Sequence, residues 1–298
     1  MCSWLAGPAA SYTLPLFPFP PFALSSIIIK DMKTVRSLLV LVSLILAFQF
    51  IRPPLPALSQ EMLEYQGIRF RLVPGGSYII GSPPQEPGRY VDESQPQRVS
   101  LEPFYIAATE ITNAQYARFL KATGHPPPLY WEDKNLNDPT QPVVGVTWHD
   151  AAAFAEWLSQ VTGQSFRLPT EAQWEAAARG GLSGKAYPWG DALPDAGGAL
   201  KANYRAGGRR LTMPVASYPP NGFGLFDMAG NAAEWCLDPY TPPRSRGPFK
   251  PGTARLLKGG SWFSLARDLR CAARQSAPPD FTDGYIGFRV VRLPAGGK

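Results

Sequence analysis

The side chains able to do metal, redox or nucleophilic chemistry are few. Three cysteines, Cys2, Cys236 and Cys271, are scattered over 298 residues. They form no Cys-x-x-Cys pair and no zinc-ligand spacing. A nonheme iron triad needs two imidazoles and a carboxylate at close range. His125 and His149 are the only histidines, and their spacing predicts one in a loop and one at a helix start. The densest cluster of special residues is C-terminal. It reads Gly259-Gly260-Ser261-Trp262-Phe263-Ser264-Leu265, then Arg270-Cys271-Ala272-Ala273-Arg274, then Ile286-Gly287-Phe288-Arg289-Val290. Loops that mix aromatic with small polar residues make generic binding faces.

The elements that must position this segment come from a chain with 45% hydrophobic and 17% charged residues, enough for a real core. Thirty-three Pro and 28 Gly predict a loop-rich fold. No fixed-period repeat marks a solenoid. The net charge of +6 is scattered, with no Lys/Arg stripe interleaved with aromatics, so no nucleic-acid partner is expected. Strands are predicted at Ile68–Val73, Ser77–Gly81, Val99–Leu101 and Phe104–Ile106 from alternation and the Pro74-Gly75-Gly76 turn. Three helices share one start signal. Thr112, Thr147 and Thr170 each precede an acceptor three residues on, Gln115, Asp150 and Gln173, as in a capping box. Gly124, Gly163 and Gly180 mark the stops. Tyr116, Phe119, Phe154, Trp157 and Trp174 recur at helical spacing and are expected in the core. Beyond Gly181 turns dominate, and no composition shift marks a second domain.

The first sixty residues do not read as fold. Met32-Lys33-Thr34-Val35-Arg36 is a basic start, Ser37 to Ile51 an apolar run, and Ala57-Leu58-Ser59 a small-x-small site. That pattern predicts a secretory signal over 32–59, cleaved after Ser59. The apolar run is short against the roughly 20 residues of a spanning helix. Membrane attachment is expected only if the segment stays uncleaved. Residues 1–31 lack a leading charge and are expected to be an over-long start, which leaves one domain over 60–298. An exported chain meets conditions in which disulfides form.

Several motifs occur in one order. They are Val73-Pro74-Gly75-Gly76, Thr109-Glu110-Ile111-Thr112-Asn113, Arg167-Leu168-Pro169-Thr170-Glu171-Ala172-Gln173-Trp174-Glu175, Pro188-Trp189-Gly190, Asn221-Gly222-Phe223-Gly224-Leu225 and Gly230-Asn231-Ala232-Ala233-Glu234-Trp235, ahead of the Gly-Gly-Ser-Trp and Gly-Phe-Arg-Val segments. From about residue 66 to 292 the chain resembles the formylglycine-generating enzyme, or sulfatase-modifying factor, family. That resemblance implies an α+β domain, a variant of the C-type lectin fold with short strands, about three helices and much ordered coil.

Active members carry two reactive cysteines in the C-terminal segment, the first three positions after Gly-Gly-Ser. Ser264 stands there in this chain, and no cysteine lies between Gly259 and Cys271. A serine hydroxyl supplies neither the thiolate nor the soft ligand that copper(I) prefers. No copper is expected, and formylglycine-generating activity is not. Cys271 resembles a structural cysteine of some members, whose usual partner appears here as Ala178. Cys236 is the remaining candidate for a bridge, the alternative being two separate buried thiols. The resemblance also implies a structural Ca²⁺ held by the side chains of Asp227 and Glu234 and the carbonyls of Gly230 and Ala232, hard oxygens of the kind Ca²⁺ takes. A second calcium loop, from Asn203-Tyr204, lacks its acid, having Arg209-Arg210 instead.

The frame of the C-terminal segment is similar to that of the variable proteins of diversity-generating retroelements. Between its fixed points stand Phe263, Ser264, Leu265, Asp268, Ser276, Ala277, Phe281, Thr282, Asp283, Gly284 and Tyr285, all types reachable from an Asn codon by changing adenines. Ordinary loop residues give the same look. The expected function is an exported ligand-binding or display domain. Its ligand, a protein or a glycan, would be met by Trp262, Phe263, Ser264, Leu265, Asp268, Phe281, Thr282, Asp283 and Tyr285. The alternative is a metal-dependent modifying oxidase of the same family that works without cysteines.

Overall fold

The computed structural model describes residues 62–241 and 253–294, all within one compact unit spanning Ala57–Lys298. The expected signal segment and over-long start lie outside the described residues. The strands are β1 (Met62–Tyr65), β2 (Ile68–Val73), β3 (Gly76–Ile80), β4 (Gln97–Leu101), β5 (Phe104–Ala107), β6 (Phe166–Arg167), β7 (Ala233–Pro239), β8 (Arg255–Lys258), β9 (Gln275–Ala277), β10 (Ile286–Gly287) and β11 (Val291–Arg292). The helices are α1 (Asn113–Thr123), α2 (Trp148–Thr162) and α3 (Glu171–Arg179).

All three helices start on the threonines that the sequence marks. Thr112, Thr147 and Thr170 each accept from the backbone N–H three residues on, and the reciprocal bond closes a full capping box each time, with Asp150 serving α2. Gly124, Gly163 and Gly180 end them in the left-handed conformation. A side chain there would cost strain, which is why glycine ends so many helices. The inward stripes of α1 and α2 meet in an aromatic core. Tyr116 stacks on Phe154 at 5.7 Å, and Phe288 meets Phe154 edge-on at 5.3 Å.

The larger sheet runs β1-β2-β5-β11-β6, so the last strand inserts between two strands that lie far earlier in the chain. Val291 pairs with both Ile106 and Arg167. A second sheet runs β10-β7-β8-β9, and β3-β4 form a separate ribbon. This second sheet carries the C-terminal segment: β8 and β9 bracket residues 259–274, while β10 pairs in parallel with β7. Helix α3 departs from a simple amphipathic pattern, because Gln173 through Arg179 are all buried. Its alanines admit close neighbours, and its two charges neutralise each other. Glu175 and Arg179 pair at 2.6 Å and grip the backbone of Gly81 from both sides.

Candidate functional site

The turn after β8 sets up the site. Gly259 and Gly260 both have left-handed φ, and a Cβ on Gly260 would meet Leu269 at 2.8 Å. The chain can therefore reverse tightly and present Phe263 and Leu265 outward, while Ser261 stays buried. Ser264 is half-buried. Its Oγ accepts the Ser261 N–H at 3.0 Å and its carbonyl accepts the Arg205 N–H at 3.1 Å. The hydroxyl thus braces the turn, and no acid or base stands in hydrogen-bond contact with it to activate it.

Around this turn opens a cleft of about 540 Å³. Phe263, Ser264, Leu265, Asp268, Phe281 and Tyr285 line it, together with Arg205 and the β9 residues Gln275, Ser276 and Ala277. Phe263, Leu265 and Phe281 are 53%, 46% and 40% exposed, so each keeps much of its apolar surface in solvent at the mouth. Tyr285 is half-buried, stacks on Phe263 at 5.9 Å and leans on the aromatic core, so it joins surface to interior. Both Asp268 oxygens are occupied, Oδ1 by the Tyr90 hydroxyl at 2.5 Å and Oδ2 by the Leu265 N–H at 2.9 Å. Burial, and then the bond to Asp268, push the Tyr90 phenol up to about 12.

Three of the expected ligand-face residues lie elsewhere. Trp262 lines a smaller hollow beside the cleft and donates its indole N–H to the Gly284 carbonyl at 3.1 Å. Thr282 and Asp283 do not line the cleft. The Asp283 carbonyl accepts from the Gly145 and Ile286 N–H groups, so the backbone of this stretch anchors the loop. Arg205 is a cleft residue that sequence reading missed; its guanidinium lies 5.5 Å over the Phe263 ring.

Below the cleft, the acidic motif residues gather in the interior. Glu234 on β7 is fully buried, and both its oxygens are engaged. Oε2 accepts from Arg289 Nε and Trp174 Nε1, and Oε1 from Arg289 Nη2, all at 2.7 Å. Asp227, at φ 54, stands beside Glu110, with Ala216 N–H on its Oδ2 at 2.6 Å. Glu110 Oε1 takes Asn231 Nδ2 and the Ala232 N–H, and the Glu110 and Asp227 carboxyls hydrogen-bond to each other. Gly230 keeps φ 83 where a Cβ would strike the Asn203 carbonyl at 2.2 Å, so only glycine lets this loop close. Burial raises the Asp227 carboxyl to about 6 and holds Glu110 well above the usual carboxylate range. Three carboxyls share this pocket with one guanidinium, Arg289.

Cys236 and Cys271 are both free and buried in one core cluster, so the candidate bridge does not form. They pack as small hydrophobes. Burial pushes the Cys271 thiol up to about 12 and holds the Cys236 thiol well above its ordinary value, so neither is poised to react. The histidines stay apart. His125 bonds Asp150 at 2.7 Å, and His149 lies exposed 3.5 Å from Asp280.

Residues 60–294 match the family profile described as the sulfatase-modifying factor enzyme 1-like domain. The chain belongs to the sulfatase-modifying factor family. The formylglycine-generating enzyme of Streptomyces coelicolor is 36% identical to it over 281 residues, covering 74% of this chain and 87% of that protein. Among solved structures, PvdO from Pseudomonas aeruginosa superposes with a TM-score of 0.68 at 29% identity, over 78% of this chain and 98% of that one. Treponema denticola variable protein 1 gives 0.64 at 24% identity, over 78% and 99%, a likeness of fold. The architecture is the family's variant of the C-type lectin fold.

Proposed function

We propose that this member of the family is an exported binding or display domain whose ligand, a protein or a glycan, sits in the cleft beside Ser264. The observation that carries this is the pairing of an open, aromatic-rimmed cleft with a Ser264 hydroxyl committed to its own turn. Exposed Phe263, Leu265 and Phe281 supply apolar area at the mouth. Aromatic anchors of this kind dominate binding energy at recognition sites. The two thiols among the described residues, Cys236 and Cys271, are buried and held protonated, which disfavours a thiolate site for copper(I) there. Export rests on the basic, apolar and small-x-small pattern ending at Ser59.

We further propose a structural dication at the buried carboxyls, with a changed ligand set. Arg289 pairs with Glu234, which leaves Glu110 and Asp227 side by side with no guanidinium of their own. Buried charge without a partner is costly, and a hard dication or protons must offset it. Asp227 and Glu110, with the Gly230 and Ala232 carbonyls, would hold Ca²⁺. Glu234 serves chiefly to fix Arg289. Calcium there would lock the loop between α3 and β7 under the cleft and take no part in chemistry.

The binding role is tested by panning the full chain against a peptide library and a glycan array, then repeating with Phe263→Ala/Phe281→Ala. Ligands that lose the double variant support the cleft. Ligands that bind it equally well place recognition elsewhere and overturn the reading.

A further inference from the structure

Next to the cleft lies a second hollow of about 300 Å³ with an unusual lining: Arg205, Arg209, Arg210, Trp262 and Phe263. Three guanidiniums and two aromatic rings face one space with no acidic residue among them. Their convergence has a local cause. The short helical turn Arg205–Gly207 ends at Gly208 with φ 80, and this reversal folds Arg209 and Arg210 back beside Arg205. The Arg205 backbone N–H is tied to the Ser264 carbonyl, which fixes the turn to the cleft.

All three arginines are exposed, and among the described residues none is held in an ion pair. Like charges this close repel, and only solvent or a bound anion offsets them. Arg205 and Phe263 also line the larger cleft, so the two spaces adjoin along these side chains. Asp268, the acid that lines the larger cleft, already accepts from Tyr90 and Leu265. A cationic ligand would compete with those bonds, whereas an anionic one finds three planar donors, each able to bond two oxygens.

Resting on the cleft reading above, we propose that the arginine hollow takes the oxyanion of the ligand, a carboxylate, sulfate or phosphate group, while its apolar arm lies across Phe263 into the cleft. The selected ligand class is thus an anion with an apolar body, and basic ligands are disfavoured.

Calorimetric titration of the full chain with naphthalene probes that differ only in the head group tests this. The heads are sulfonate, phosphate, acetate, neutral methanol and cationic methylamine. The oxyanion probes should bind at least about tenfold more tightly than naphthalenemethanol, the size of one charge-assisted hydrogen bond. The amine should bind more weakly than the alcohol. Arg209→Gln/Arg210→Gln changes only exposed side chains. It should bring the sulfonate down to the affinity of the alcohol and leave the alcohol unmoved, with unchanged melting. The order among sulfonate, phosphate and acetate identifies the source of the anion. Equal affinity for charged and neutral probes, or a double variant that still prefers anions, overturns the oxyanion assignment while the cleft stands. Failure of every probe to bind at millimolar concentration counts against both the cleft and the hollow.

Discussion

Glu234 and Asp227 are both motif acids seven positions apart, yet they do different work. Removing the Glu234 carboxylate strands the Arg289 guanidinium, which is fully buried. Breaking one side of a buried pair costs about 3–5 kcal/mol, so Glu234→Ala should melt far below wild type whether calcium or chelator is present. Asp227→Asn removes one of the two carboxyls that lack a guanidinium of their own. It should abolish the calcium-dependent rise in melting temperature and leave the chelated protein at least as stable as wild type. An Asp227→Asn protein that still gains from calcium would exclude this carboxyl as a ligand. The acids also fix a sign for pH. Asp227 is raised to about 6, first by burial, and Glu110 is raised by burial and by Asp227. Such groups hold protons in the folded state that the unfolded chain releases. Their contribution is full below the ordinary carboxylate range and lost as pH rises through about 6. In chelator, melting should therefore fall between pH 4.5 and 7, and calcium should flatten the fall by replacing the protons. Melting that rises over this interval in chelator contradicts the assignment.

Among the elements, the helices were the most legible in sequence, because each carries its own start and stop. Thr147 bonds the Asp150 N–H, and Thr147→Ala should cost about 1 kcal/mol as a lost N-cap, read by denaturant melting. Strands β7, β8, β10 and β11 were hidden. They are two to seven residues long and mostly buried, so they show no alternation between an inner and an outer face. The C-terminal segment was readable as a site but not residue by residue. Side-chain type does not reveal that the Asp283 carbonyl anchors a loop, or that Trp262 opens onto a separate hollow beneath arginines. The structure now ranks its aromatics. Phe281→Ala should leave stability within about 0.5 kcal/mol, as surface changes do. Phe288→Ala, at 0% exposure, should cost about 3–5 kcal/mol. Tyr285→Ala should fall between the two. If Phe281→Ala is as damaging as Phe288→Ala, the rim is core and the binding face fails.

At the scale of the whole molecule, the ordered motifs place this chain in the sulfatase-modifying factor family, with that family's fold. Sheet, capped helices and the buried Glu234–Arg289 pair all serve to hold one turn at a fixed place. That turn carries a hydroxyl that bonds its own backbone, and the two buried cysteines lie within the core. The motifs made the fold legible. The arginine hollow was not, because Arg205 and Arg209-Arg210 join Trp262 only after the chain folds. The most direct measurement is mass spectrometry of a Cys-x-Pro-x-Arg peptide incubated with the full chain, copper(I) and oxygen. The peptide should be recovered with its cysteine unchanged. Its conversion to the formylglycine aldehyde above the rate of an enzyme-free control would contradict the claim that this is a binding domain without cysteine–copper chemistry.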